Sequence, residues 1–177
     1  MSTGLSIASL AVLAVVSAVG LLLTARGERL RPLWGAAILA ALLALSGLLA
    51  WVADEAPDGV VEAAAAVAVL AAVLGGGPVA TAVLSAADPA QAGVAGGPQD
   101  PAILRGGAWI GVLERAAVAG ALLTGSAEAL AVVIAVKGLG RFAELRAPAA
   151  AERFIVGTLA SGLWAAGCVG VALLLRS

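Results

Sequence analysis

The first 25 residues, MSTGLSIASLAVLAVVSAVGLLLTA, contain no charged side chain. At 1.5 Å per residue, a helix of this length is longer than the ~30 Å hydrocarbon core of a bilayer. With no water in that core, the backbone must satisfy its own hydrogen bonds, and an isolated run can do so only as a helix. A cleaved secretory signal begins with a basic region and has a short apolar core. Here no Lys or Arg precedes Arg26, so the run reads as a retained first membrane helix.

The rest of the chain follows suit. Of its 177 residues 62% are hydrophobic and 12% charged, with a mean hydropathy of +1.09. Soluble domains carry about a quarter charged residues, so the expected class is an all-α integral membrane protein, a bundle of about six transmembrane helices. The spans are roughly Gly4 to Ala25, Leu33 to Ala53, Val60 toward Ala87, Gly106 to Gly125, Ala127 to Arg146, and Glu152 to Leu175. Trp34 and Trp51 bracket the second as interfacial anchors do. Residues 88 to 102, DPAQAGVAGGPQDPA, have the Pro and Gly content of a loop. They divide a single polytopic domain, 1–177, into helices one to three (1–87) and four to six (103–177). A three-plus-three division would suit an inverted repeat, but no residue-level match links the halves. In the third span, VLGGGPVATA places Gly75, Gly76, Gly77 and Pro78 within an apolar stretch. Either a kink or a discontinuous helix at a transport site fits that pattern.

Basic residues orient the bundle. The first loop carries Arg26, Arg29 and Arg31 and should be cytoplasmic; the next, DEAPDG, is acidic and should face out. Alternation then puts Arg105, Arg141, Arg146 and Arg153 on or near the cytoplasmic side, with both termini outside. Asp54, Glu55, Asp58 and Glu62 read as a solvated acidic outer surface. The Ala-, Gly- and Arg-rich composition points to a bacterial plasma membrane.

Several function classes drop out. There is no His, hence no Ser-His-Asp triad and no imidazole ligand. Cys168, the single cysteine, reads as a small packed hydrophobe. A net charge of −1 without a basic patch argues against nucleic-acid partners. No cofactor or metal motif is present, and membrane lipids, anionic ones included, a second copy, or other membrane subunits are the expected partners.

The charges inside the apolar spans carry what functional signal there is. Glu114 and Arg115 stand in WIGVLERAAVAGALLTG. Counted from the ends of their spans, Glu114 and Lys137 lie about 12 and 13 Å deep. The short connection between these helices makes them antiparallel neighbours, so Glu114 is expected to contact Lys137 or Arg141. Lys137, Arg141 and Glu144 follow i, i+4, i+7 spacing on one face. Glu152 and Arg153 open the sixth span, and Thr158 and Ser161 recur deeper. Buried charges persist when paired or when they line a wet cavity. Glu114, Arg115, Lys137, Arg141, Glu144, Glu152, Arg153, Thr158 and Ser161 therefore form either a structural ion-pair network or a pocket for an anionic group, with Arg141 and Arg153 also able to snorkel. Gly107 and Gly111, and the row Gly157, Ser161 and Ala165, suit close helix contact.

Three runs carry a resemblance: W-I-G-x-L-E-R at Trp109 to Arg115, K-x-x-x-R-F-x-E-L at Lys137 to Leu145, and A-E-x-x-x-x-G-T-L-x-S at Ala151 to Ser161. Their order over residues 106–165 resembles the C-terminal part of an uncharacterised bacterial multi-pass membrane family, a domain of unknown function. The resemblance implies that the charged set is a family feature, and it implies no activity. That family's N-terminal part carries a His-Asp-Phe-type motif, which this chain lacks. Three classes stay open: a non-enzymatic module binding an anionic lipid or partner, a small transporter or channel subunit, and a lipid-headgroup enzyme using Glu114, Glu144 or Glu152 as acid or base.

Overall fold

Each apolar span becomes one helix. A computed structural model describes residues 2–26, 32–53, 56–87, 107–146 and 148–177. Among them are six α-helices and no strand: α1 Ser2–Arg26, α2 Pro32–Val52, α3 Asp58–Ala87, α4 Gly107–Leu123, α5 Ala127–Gly140 and α6 Pro148–Leu174, with a short 3-10 turn at Glu144–Arg146 between the last two. The linker at 88–102 and the residues Arg29, Arg31, Asp54, Glu55 and Arg105 lie outside the described residues. α1, α2, α3 and α6 are long and apolar enough to cross a membrane. With 17 and 14 residues, α4 and α5 span only about 26 and 21 Å.

Small residues explain why α3 sits at the centre. Ala64, Ala68, Ala71, Ala72, Gly75 and Gly76 are buried on one seam of α3. That seam lets neighbouring backbones close in, as small residues do between membrane helices. α1 approaches so nearly that a methyl at Gly20 would fall 2.8 Å from the backbone nitrogen of Gly75. α6 brings larger groups to the same seam, where Trp164 lies against Gly75 and Gly76, and its Cys168 and Val169 share one buried core with Leu13 and Val16 of α1 and Leu39 of α2. Cys168 is fully buried in this core, as its apolar surroundings in the sequence suggest.

Among the described residues the buried polar side chains are Ser6, Ser9, Ser17 and Ser46. Ser17 returns its hydroxyl proton to the carbonyl one turn back, as the less buried Thr24 and Ser85 also do, a standard way to satisfy a hydroxyl within a helix. Ser9 and Ser46 instead link two helices. Ser9 Oγ donates to the Ser46 carbonyl at 2.8 Å, and Ser46 Oγ donates to the Ser9 carbonyl at 2.9 Å. Both serines are fully buried, so α1 and α2 are fixed in antiparallel register by two reciprocal bonds.

The glycine–proline stretch is not a break. α3 runs through Pro78 to Ala87, which sets aside a discontinuous helix. Pro78 has no N–H, so the Leu74 carbonyl loses its helical donor. Neighbouring helices supply donors to this stretch: Trp164 Nε1 to the Ala71 carbonyl and Arg115 Nε to the Val73 carbonyl, each at 3.0 Å.

α5 ends earlier than its sequence suggests. The span expected to reach Arg146 stops at Gly140, with Arg141 as its C-cap. Gly138 and Gly140 each cost about 1 kcal/mol in a helix interior relative to Ala, and the chain tightens into i−3 bonds from Arg141 to Gly138 and from Phe142 to Leu139. The expected face of Lys137, Arg141 and Glu144 is therefore divided. Lys137 stays on α5, Arg141 caps it, and Glu144 belongs to the 3-10 turn. α6 likewise opens at Pro148 rather than at Glu152, since the first helical position tolerates a missing N–H.

Candidate functional site

A three-residue turn, Thr124 to Ser126, sets the site's register. The Gly125 N–H donates to the Leu122 carbonyl and the Ser126 N–H to the Ala121 carbonyl; together these form a Schellman motif closing α4. Gly125 takes φ +66°, the left-handed conformation that favours glycine. Ser126 then caps α5, accepting from the Ala129 N–H at 3.2 Å. Glu114 precedes Gly125 by eleven residues and Lys137 follows Ser126 by eleven, so the antiparallel helices bring them level. Lys137 Nζ lies 2.6 Å from Glu114 Oε2, with the side chains 19% and 21% exposed. Lys137 also stands 5.9 Å from the centre of the Phe154 ring, which puts the second turn of α6 beside the end of α5.

The next residue on α4 points the other way. Arg115 reaches α3, where its stem occupies the space that a Gly76 side chain would need. Gly111, one turn earlier, faces the Arg115 guanidinium rather than a neighbouring helix, so the expected GxxxG contact becomes a cradle for a cation. Only Nε is engaged, with the Val73 carbonyl. Its terminal nitrogens, Nη1 and Nη2, have no hydrogen-bond partner among the described residues.

These groups line one end of a cavity of about 230 Å³ between α4, α5 and α6. It exists because α5 packs on α4 and scarcely meets α6, and no α5 residue is buried. Its walls are graded. On α4, Glu114 and Arg115 give way to Val118 and Leu122 toward the turn; on α5, Lys137 gives way to Ile134 and Leu130. On α6, Thr158 and Ser161 precede Leu163 and Ala166. Glu114 offsets one of the two cations, leaving one positive charge at the polar end. The Thr158 hydroxyl is buried there with no hydrogen-bond partner among the described residues.

Glu114, Arg115, Lys137, Thr158 and Ser161 thus come together, while Arg141, Glu152 and Arg153 do not line the cavity. Arg141 and Arg153 have interactions of their own nearer the helix ends. The Glu144 side chain lies outside the described residues. Sequence reasoning missed Trp164, and it read Gly75 and Gly76 as a kink or break rather than as the bed for Trp164 and Arg115. The one available signal was the glycine triplet itself, which implies a large neighbour somewhere without naming it.

The architecture is that of an all-helical bundle, four of whose helices are long and apolar enough to cross a membrane. Comparison of the chain with protein-family models, curated proteins and solved structures returns no match.

Proposed function

We propose that this is a multi-pass bacterial plasma-membrane protein in which α4, α5 and α6 form a non-enzymatic module that binds an anionic membrane lipid. The observation that carries the reading is the Arg115 guanidinium, whose terminal nitrogens have no hydrogen-bond partner among the described residues and stand at the polar end of a cavity that is otherwise apolar. A guanidinium fork donates two parallel bonds to a carboxylate or phosphate. The basic loops place this end toward the cytoplasmic leaflet, where a lipid points its head outward and its chain inward, the same polarity as the cavity walls. All five polar lining residues are also positions of the resemblance noted in the sequence. A transporter has less behind it, since α3 continues through Pro78. Glu114 is committed to Lys137 and Glu152 does not line the cavity, so a lipid-headgroup enzyme also has less behind it.

The test is native mass spectrometry of protein extracted from its own membrane. Gly162 lines the cavity, and nothing stands within 4 Å of a methyl built there. Gly162→Leu should fill the space and abolish a retained anionic lipid, with helicity unchanged by circular dichroism. A wild-type protein that retains no anionic lipid, or a variant that retains it undiminished, refutes the reading.

A further inference from the structure

Building on the lipid-binding reading, we infer that the cavity takes a single-chain amphiphile whose anionic head is no wider than its chain, a long-chain carboxylate being the simplest. Size is the first argument. At about 230 Å³ the cavity lies below the usual range of about 300–1,000 Å³ for small-molecule pockets, which favours a single chain over a glycerol bearing two.

Depth is the second. Arg115 stands eight residues into α4, about 12 Å along its axis. A phosphodiester brought to that level must bring its glycerol and second chain with it. A carboxylate ends its chain and brings nothing broader.

The donors match as well. One net positive charge suits one monoanion, and the planar fork of Arg115 suits the two oxygens of a carboxylate. The orphaned Thr158 hydroxyl supplies a further donor on the facing helix. Entry is lateral. The gap between α5 and α6 lets a chain slide in from the surrounding lipid, and the Glu114–Lys137 bridge holds the charged end of α5 onto α4 beside the head.

The experiment measures binding of radiolabelled palmitate to the full-length protein in phosphatidylcholine nanodiscs. Hexadecanol and phosphatidylglycerol serve as competitors. Palmitate should saturate at one per chain. Hexadecanol should compete roughly tenfold more weakly or worse, having lost the charge-assisted bonds, and phosphatidylglycerol should not compete. Gly162→Leu and, independently, Ala166→Phe at the apolar end should abolish binding. Thr158→Val should weaken palmitate more than hexadecanol. Equal competition by palmitate and hexadecanol, or unchanged binding in both cavity-filling variants, overturns the inference. If phosphatidylglycerol binds and is lost on Gly162→Leu while palmitate does not bind, the single-chain assignment fails and the lipid-binding reading survives. If no anionic amphiphile binds, both fail.

Discussion

Replacing Gly75 by alanine tests the central packing, because two physical effects there have opposite signs. In an unconstrained helix, Gly→Ala gains about 1 kcal/mol of stability. At Gly75 the added carbon would lie 2.6 Å from Trp164 Cζ2 and 2.9 Å from Cε2. Ordinary carbon contacts are about 3.5–4.0 Å, so the overlap is close to 1 Å. Trp164 has little room to yield. It is 6% exposed and tied to the Ala71 carbonyl at 3.0 Å. α3 has little room to shift toward α1, since Gly20 lies close against the Gly75 backbone. Overpacking of this kind costs about 1–3 kcal/mol. Losing the indole bond adds about 0.6 kcal/mol, typical between membrane helices. After the propensity gain is deducted, Gly75→Ala should destabilise by about 0.6–2.6 kcal/mol. Gly120→Ala, where nothing stands within 4 Å of the new methyl, should be neutral or stabilising. Reversible unfolding in mixed micelles, followed by tryptophan fluorescence and far-UV circular dichroism, gives both values. Pairing Gly75→Ala with Trp164→Leu should recover part of the loss. If Gly75→Ala stabilises as Gly120→Ala does, Trp164 does not pack against α3 as described.

Other perturbations probe the remaining features. Glu114→Gln and Lys137→Met should each destabilise the protein, and the double variant should recover part of the sum, with a coupling of about 0.5–3 kcal/mol in the same unfolding assay; strict additivity would exclude the ion pair. Ser9→Ala and Ser46→Ala should each cost about 0.6–1.7 kcal/mol, the range for interhelical hydrogen bonds in membranes, and losses indistinguishable from zero would count against the reciprocal link. Reporter fusions after Arg31 and after Pro57 should read cytoplasmic and external respectively; the opposite pattern would move the polar end of the cavity to the other leaflet.

The sequence made some of this site legible and hid the rest for identifiable reasons. Glu114 and Lys137 are local partners in an αα-hairpin, so counting outward from a short turn suffices to pair them. Six helices follow from six apolar spans. The end of α5 was harder to place, because KGLGRFAELR keeps a helical charge spacing while its two glycines weaken the helix. Arg115 and Val73 are 42 positions apart, and Trp164 and Ala71 are 93 apart. Nothing in local pattern links such pairs. The cavity is hidden for another reason: it depends on α5 failing to reach α6, and sequence does not display a missing contact.

The turn at Gly125 and Ser126 also bears on how the chain is made. α4 taken alone holds Glu114 and Arg115, which cost about 5–7 kcal/mol together on insertion scales, against gains of about 0.3–0.6 kcal/mol for each Leu, Ile or Val. A nascent α4 therefore partitions poorly. Once the turn has formed, Lys137 neutralises Glu114 and the hairpin presents only Arg115, for which the cradle at Gly76 and the Val73 carbonyl already stands within the first three helices. Biogenesis should thus run in an obligatory order, with α4 waiting at the translocation machinery until α5 emerges and the two entering as one unit. In a glycosylation-tag insertion assay, α4 alone should be skipped over by the bilayer, and α3 to α5 together should be retained. Efficient insertion of isolated α4 would contradict this order. With that order, the turn would time synthesis as well as join two helices in the finished protein.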